Sequence, residues 1–342
     1  MSETSIAPTS PALPPTTALV LVNLGTPDAP TASAVRRYLS EFLHDYRVVD
    51  LSRWLWCPLL HFVILPIRGP KVARKYASIW LPGGSPLGVY TRQLAEAVQQ
   101  ELPQLRVVHA MRYGNPSFAK LLASLRDEGV QRVLTLPLYP QYSTSTTAAV
   151  ADVMARAQGL QTRMIEEYHV DPNWVQAVAG SIREHRATHG TGQLLLFSFH
   201  GLPQRFADRG DPYPQQCQAG ARAIAQALGL ADEAWALSYQ SRFGREKWLE
   251  PATADMLDAL ADRGVRTVDV VAPGFAVDCL ETLEEVSMML AEDFHIRGGG
   301  SLRYIPCLND SPAHAQALAG LARRELASWD APGGEDASHV GG

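Results

Sequence analysis

An internal doubling constrains this chain more than any other feature of its sequence. The first half alternates apolar runs with helical stretches: ALVLVNLGTP from Ala18, VVHAMRYGNP from Val107, RVLTLPLYPQYS from Arg132 and TRMIEEY from Thr162. The second half repeats the plan with LLLFSFHGLP from Leu194, AWALSYQSRFG from Ala234, TVDVVAPGFAVD from Thr267 and LRYIPCL from Leu302. Helices are expected from Ala32 to Phe42 and Thr91 to Glu101 in one half, and from Gln215 to Leu228 and Ala252 to Arg263 in the other. Arg112-Tyr113-Gly114 is echoed by Arg242-Phe243-Gly244, and Leu24-Gly25-Thr26-Pro27 by His200-Gly201-Leu202-Pro203. Short apolar runs closed by Gly or Pro read as buried parallel strands, and their alternation with helices reads as covered parallel sheets. The expected fold class is α/β: two similar Rossmann-like domains, each with a four-stranded parallel sheet flanked by helices, and a cleft between them.

At 342 residues the chain exceeds one ordinary core and suits two domains. The expected division is a disordered Pro/Ser/Thr-rich tail at 1–17, domains at 18–185 and 186–308, a helix at 309–329 packing back on the first domain, and a Gly-rich tail at 330–342. The N-terminus lacks the basic start and apolar core of a signal peptide. No stretch reaches the roughly 18 to 20 apolar residues that span a bilayer. A net charge of -5, with no dense basic stripe, argues against nucleic acid as a partner. The cysteines Cys57, Cys217, Cys279 and Cys307 are scattered without a CxxC pair, as suits reduced thiols in a cytoplasmic protein.

One segment, WLWCPLLHFVILPI from Trp54 to Ile67, is conspicuously apolar and carries Pro58 and Pro66. It reads either as a core element or as an exposed lip, with Trp54, Trp56 and Phe62 touching a membrane or shielding a hydrophobic ligand.

Chemistry concentrates at two strand ends. LLLFSF stops at His200, a residue that exchanges protons near neutral pH and that burial keeps neutral, as a base or a ligand for divalent iron. The segment after Phe275 offers Asp278, Glu281 and Glu285, expected as a carboxylate stripe along one helix face. Such a stripe is either solvated or kept for a purpose. The neighbours Val277, Leu280, Leu283 and Val286 favour the edge of an apolar cleft, where carboxylates bind cations or shuttle protons. Ligands of open α/β sheets bind beyond the carboxyl ends of the strands, so His200 and the carboxylates are expected to face one cleft. No HExxH or HxH pattern announces a preassembled zinc site.

The motifs LVNLGTP, GGSPL, MRYGNP, LPLYPQYSTSTT, SFHGLP, RGDPYPQQC, YQSRFGREKWLEP and PGFAVDCLETLEE, in this order and spacing, resemble those of ferrochelatases, which insert ferrous iron into a porphyrin. The resemblance runs from about Ala18 to Ala319 and implies the chelatase type of two-domain fold. It implies that His200 takes pyrrole protons, binds the incoming metal, or both, with Glu281 as its partner across the pocket and a second metal contact. It implies that Asp278 and Glu285 continue a polar path for protons or metal. It implies that Leu24 covers one face of the macrocycle, that Tyr113, Trp248 and Phe275 form pocket walls, and that Arg68, Tyr76, Ser85 and Arg112 lie near porphyrin entry or its propionates. Protoporphyrin IX is the expected porphyrin and protohaem the product, with coproporphyrin III, another chelatase, or a tetrapyrrole or metal carrier as alternatives. Fe²⁺ enters as substrate, with no permanently bound cofactor. A [2Fe–2S] cluster is not expected, since no cysteine follows Leu308. Cys279 and Cys307 read as structural. The lip then implies peripheral membrane contact, and the chain is expected to be a monomer.

Overall fold

Each half of the chain builds one four-stranded, all-parallel sheet, and the two sheets have the same strand order. The computed structural model describes residues 16–330. In the first sheet β1 (Thr17–Thr26), β2 (Arg106–Gly114), β3 (Arg132–Pro137) and β4 (Gln161–Met164) lie in the order β2-β1-β3-β4. In the second, β5 (Leu194–His200), β6 (Trp235–Gln240), β7 (Thr267–Val271) and β8 (Ser301–Ile305) lie in the order β6-β5-β7-β8. The chain direction across each sheet reverses at β1 and β5, so a crevice opens beyond the carboxyl ends of these central strands. The expected tails fall outside the described residues except at their inner edges, where Thr17 opens β1 and Asp330 closes the last helix.

The observed strands are shorter than the expected apolar runs, and three of the ends are informative. β3 stops at Pro137, and the Leu138 N–H makes a last bond to the Val22 carbonyl of β1 at 2.8 Å before the chain reaches Pro140. β6 stops at Gln240 because Ser241 turns with φ 65°. β7 stops at Val271, two residues before Pro273. The four expected helices form at Ala32–Leu43, Pro86–Glu101, Tyr213–Leu228 and Thr253–Asp262. Ser85 caps the second by accepting from the Gly88 N–H, and Gly229, with φ 70°, closes the third in the left-handed region.

The helices that end the two halves are exchanged. Helix Pro172–His189 follows β4 yet packs on helix Tyr213–Leu228 of the second half, and Arg186 pairs with the buried Asp269 of β7 at 2.8 Å. Helix Pro312–Asp330 follows β8 yet packs on helix Pro86–Glu101 of the first half and on Pro172–His189. The expected boundary at 185/186 therefore falls inside a helix. The main hydrophobic cluster joins Leu19 and Leu134 of the first sheet to Trp174, Phe197 of the second sheet and Leu318. One continuous core thus fixes both walls of the crevice.

The apolar lip is helical throughout. Arg53–Leu59 and Leu65–Ile79 are α-helical, and Leu60–Ile64 between them is a π-turn just ahead of Pro66, which cannot donate to the preceding turn. Trp54 is 91% exposed and Phe62 81%, while Trp56, Leu60 and Leu65 are buried beneath them. Among the described residues no helix is long and apolar enough to cross a membrane.

Candidate active site

Two groups of side chains meet at the strand ends, one from each half. On the first side Leu24 near the end of β1, Tyr38 of helix Ala32–Leu43, Tyr76 of the lip helix and Ser85 line a small pocket, whose far wall is Cys279, Leu280 and Glu281. On the second side stand His200 at the end of β5, Phe275 with its ring 6.4 Å away, and Trp248. Gln240, opposite His200 in the β5–β6 register, ties the His200 corner to the segment that carries Glu281. Its carbonyl accepts the Gly201 N–H at 2.8 Å, and its side-chain amide donates to the Glu281 carbonyl at 2.8 Å.

The His200 ring has a fixed proton arrangement. Its Nδ1 lies 2.6 Å from the Gly201 carbonyl oxygen, which only accepts, so Nδ1 carries hydrogen and Nε2 is the basic nitrogen. Trp248 supports this corner from behind: a Cβ on Gly201 would meet its ring at 3.1 Å and the Gln240 carbonyl at 2.7 Å.

The carboxylates do not form the expected single stripe. Glu281 and Glu285 lie on a π-helix, Glu281–Leu290, but Asp278 precedes it. Asp278 is buried and spent elsewhere, accepting from the Tyr304 hydroxyl at 2.5 Å, the Asn309 amide at 2.7 Å and the Thr282 hydroxyl at 3.0 Å. Sequence spacing could not reveal this, because Tyr304 and Asn309 come from β8 and the turn after it. Glu285 accepts from Ser241, and burial pushes its carboxyl up against the opposing pull of those bonds and of His200. Glu281 sits among neutral donors. Burial, then neighbouring charge including that of Glu281, raises the Tyr38, Tyr76 and Cys279 groups well above their usual values, so all three stay protonated beside it.

The other expected pocket residues divide. Leu24, Tyr76 and Ser85 reach the pocket, although the Ser85 oxygen also serves as a helix cap. Tyr113 is fully buried behind it, donating to Asp45 at 2.8 Å, and Arg112 is bound to the same carboxylate at 2.5 Å and to the Ala149 carbonyl at 2.7 Å. These two hold a wall together rather than line it. Arg68 is exposed at the rim, 5.2 Å over the Phe243 ring of the opposite half. Sequence reading missed Tyr38, Gln240 and Ser241. YQS within the YQSRFG motif was the available signal for the last two. Among the described residues no three His, Cys, Asp or Glu side chains already converge as a metal-ion set.

The model of the family described as Ferrochelatase matches residues 16–326. The chain belongs to the ferrochelatase family. It is 59% identical over 314 residues to the ferrochelatase of Xylella fastidiosa strain M12, covering 91% of this chain and 98% of that one. It is 50% identical over 313 residues to the ferrochelatase of Vibrio parahaemolyticus, covering 90% and 98%. Like these relatives it is an enzyme of the metal chelatase type. The fold agrees. SirB from Bacillus subtilis, solved with Fe³⁺, superposes with a TM-score of 0.52 at 11% identity, covering 91% of this ferrochelatase-family chain and 96% of SirB. The multi-domain DR2241 of Deinococcus radiodurans, similar in structure to chelatases, gives 0.52 at 13% identity over 90% of this chain and 54% of its own.

Proposed function

We propose that this ferrochelatase inserts Fe²⁺ into protoporphyrin IX, releasing two protons and forming protohaem. The observation that carries the reading is the His200 ring, whose Nδ1–H is committed to the Gly201 carbonyl, leaving Nε2 to accept a proton or meet a metal. Two pyrrole N–H groups must be lost as iron enters the ring, and a base at the strand end fits that need. Glu281, set among the neutral donors Tyr38, Tyr76 and Cys279, is the partner across the pocket, and Glu285 with its raised carboxyl continues the path by which protons leave. Asp278 acts in this reading by positioning, since its bonds to Thr282 and Asn309 anchor the start of the Glu281 helix.

A porphyrin is flat, and its nitrogen lone pairs lie in the ring plane. An apolar slot bounded by Leu24 on one side and Phe275 and Trp248 on the other bends it, with a few kcal/mol of distortion drawn from binding. The metal is held transiently by His200 and Glu281 while it sheds water. The exposed lip meets a membrane surface, from which a poorly soluble porphyrin is taken up by a monomer.

The test is anaerobic Fe²⁺ insertion into protoporphyrin IX followed by absorbance, with coproporphyrin III as second substrate. His200→Ala is expected to lower kcat by about 10²- to 10⁴-fold, the usual worth of a general base. Glu281→Gln is expected to lose less. Porphyrin binding without iron insertion above the buffer rate would leave a carrier, and a preference for coproporphyrin III would move the chain to the other substrate.

A further inference from the structure

We propose that His44, Cys57 and His61 form a binding site for a thiophilic divalent cation at the base of the lip, separate from the cleft. His44 follows directly on helix Ala32–Leu43, while Cys57 and His61 are four residues apart on the lip helix and so share a face. His44 Nε2 stands 3.6 Å from Cys57 Sγ, and the two imidazole centroids are 5.1 Å apart. An ion in tetrahedral coordination binds sulfur at about 2.3 Å and nitrogen at about 2.0 to 2.1 Å. That geometry puts a sulfur and a nitrogen ligand about 3.6 Å apart, and the centres of two imidazoles about 5 Å apart. The sulfur–nitrogen spacing and the ring spacing are present, while the three side chains do not yet converge on one point, so His61 must move to complete the set.

The His44 tautomer suits a ligand. Its Nδ1 lies 2.5 Å from the Ser40 carbonyl, which only accepts, so Nδ1 holds the hydrogen and the Nε2 lone pair is available beside Cys57. Metal-ligating histidines make such an outer bond as a rule. Cys57 is partly exposed, so an ion from solvent can reach its thiol. The exposed His61 ring completes the set by turning, a motion that takes picoseconds to nanoseconds on a surface. The fourth position is left to water. Binding replaces the thiol proton, so one proton is released per ion and affinity rises with pH.

The location gives the site a role. Tyr38 lies six residues before His44 on one helix, about 9 Å along its axis, and Tyr76 lies on the continuation of the lip helix. An ion at the base of the lip therefore ties together the two helices whose tyrosines wall the pocket. This inference does not rest on the roles given to His200 and Glu281.

The experiment is anaerobic titration of the full chain with Co²⁺, without porphyrin, followed by absorbance. A thiolate-to-cobalt charge-transfer band is expected at one ion per chain in wild type and in His200→Ala, and is expected to be absent from Cys57→Ser. His44→Gln and His61→Gln are expected to weaken binding at least about tenfold, the scale at which even outer-shell partners matter. Thermal melts without metal check that each variant folds. As a measurement on the unaltered protein, Zn²⁺ should slow alkylation of Cys57, read by mass spectrometry. The proposal is overturned by no band in wild type at saturation, by a band that survives Cys57→Ser, by its loss in His200→Ala, or by alkylation that Zn²⁺ leaves unchanged.

Discussion

Ser241 grips the Glu285 carboxylate twice, through its backbone N–H at 2.7 Å and its hydroxyl at 2.6 Å. The left-handed turn at Ser241, φ 65°, is what brings both donors to one side of the chain. Two opposing effects meet at this carboxyl: burial favours the neutral acid, while the serine bonds and His200 favour the carboxylate, and burial dominates. An acid whose folded value is raised adds stability below its unfolded value and loses it as pH rises through the folded value. Glu285→Gln should therefore melt higher, relative to wild type, at about pH 8 than at about pH 4. An equal difference at both would show that the buried charge carries no such cost. Ser241→Ala should raise the Glu285 value further and shift the acidic limb of the iron-insertion profile to higher pH.

The lip separates into a wet face and a packed face. Trp54→Ser with Phe62→Ser should abolish flotation with liposomes and leave Tm within a few degrees of wild type, because both side chains are exposed. Trp56 behaves differently: it is buried and its indole N–H donates to the Leu43 carbonyl at 2.8 Å. Trp56→Ala should cost about 3 to 5 kcal/mol in denaturant unfolding. Flotation of the double variant equal to wild type would remove the membrane from the reading.

Gly25 sits where β1 and β2 come closest to the pocket. Its φ is 130°, and a Cβ there would stand 1.9 Å from the Tyr113 carbonyl oxygen and 3.2 Å from the Tyr38 ring. Gly25→Ala should therefore leave little soluble folded protein. Gly129, with φ 90° and open space around it, is the control: Gly129→Ala carries only conformational strain, about 1 to 3 kcal/mol. Similar melting of the two variants would show that contact with β2 is not what demands glycine.

His314 is fully buried, and burial lowers its value to about 4, with the Asn309 carbonyl bond opposing the shift. The unfolded chain then binds a proton that the folded chain refuses, so stability falls as pH drops from about 6.5 to about 4 and the slope ends below that. The loss on the acid side is of the order of 3 kcal/mol. His314→Gln should flatten this part of the stability–pH curve, measured by denaturant unfolding at several pH values. A curve as steep as that of wild type would assign the acid loss to other groups.

The strand cores, the four interior helices and the doubled plan were legible in the sequence because they depend on local alternation of apolar runs and turn residues. His200 stood out because it closes an apolar strand at the carboxyl edge of a parallel sheet, and Glu281 because the segment PGFAVDCLETLEE carries it in the family resemblance. The failures have one origin. Arg112 looked free to meet an anion, yet Asp45, 67 residues away, occupies it. Asp278 looked like the third member of a stripe, yet Asn309, 31 residues on, turns it into an anchor. Trp56 looked like part of the lip, yet the helix turns it inward onto Leu43.

By itself, then, the sequence determined two α/β sheets of equal plan, a histidine at the end of one central strand, and an acidic segment after the neighbouring strand. The tertiary structure alone decided that helix Pro172–His189 packs on the second half, that Gln240 ties the Gly201 backbone to that of Glu281, and which charges are already taken. Periodicity records which residues shun water, whereas a polar group's partner is whatever the folded chain brings within about 3 Å, and that distance carries no trace in sequence spacing.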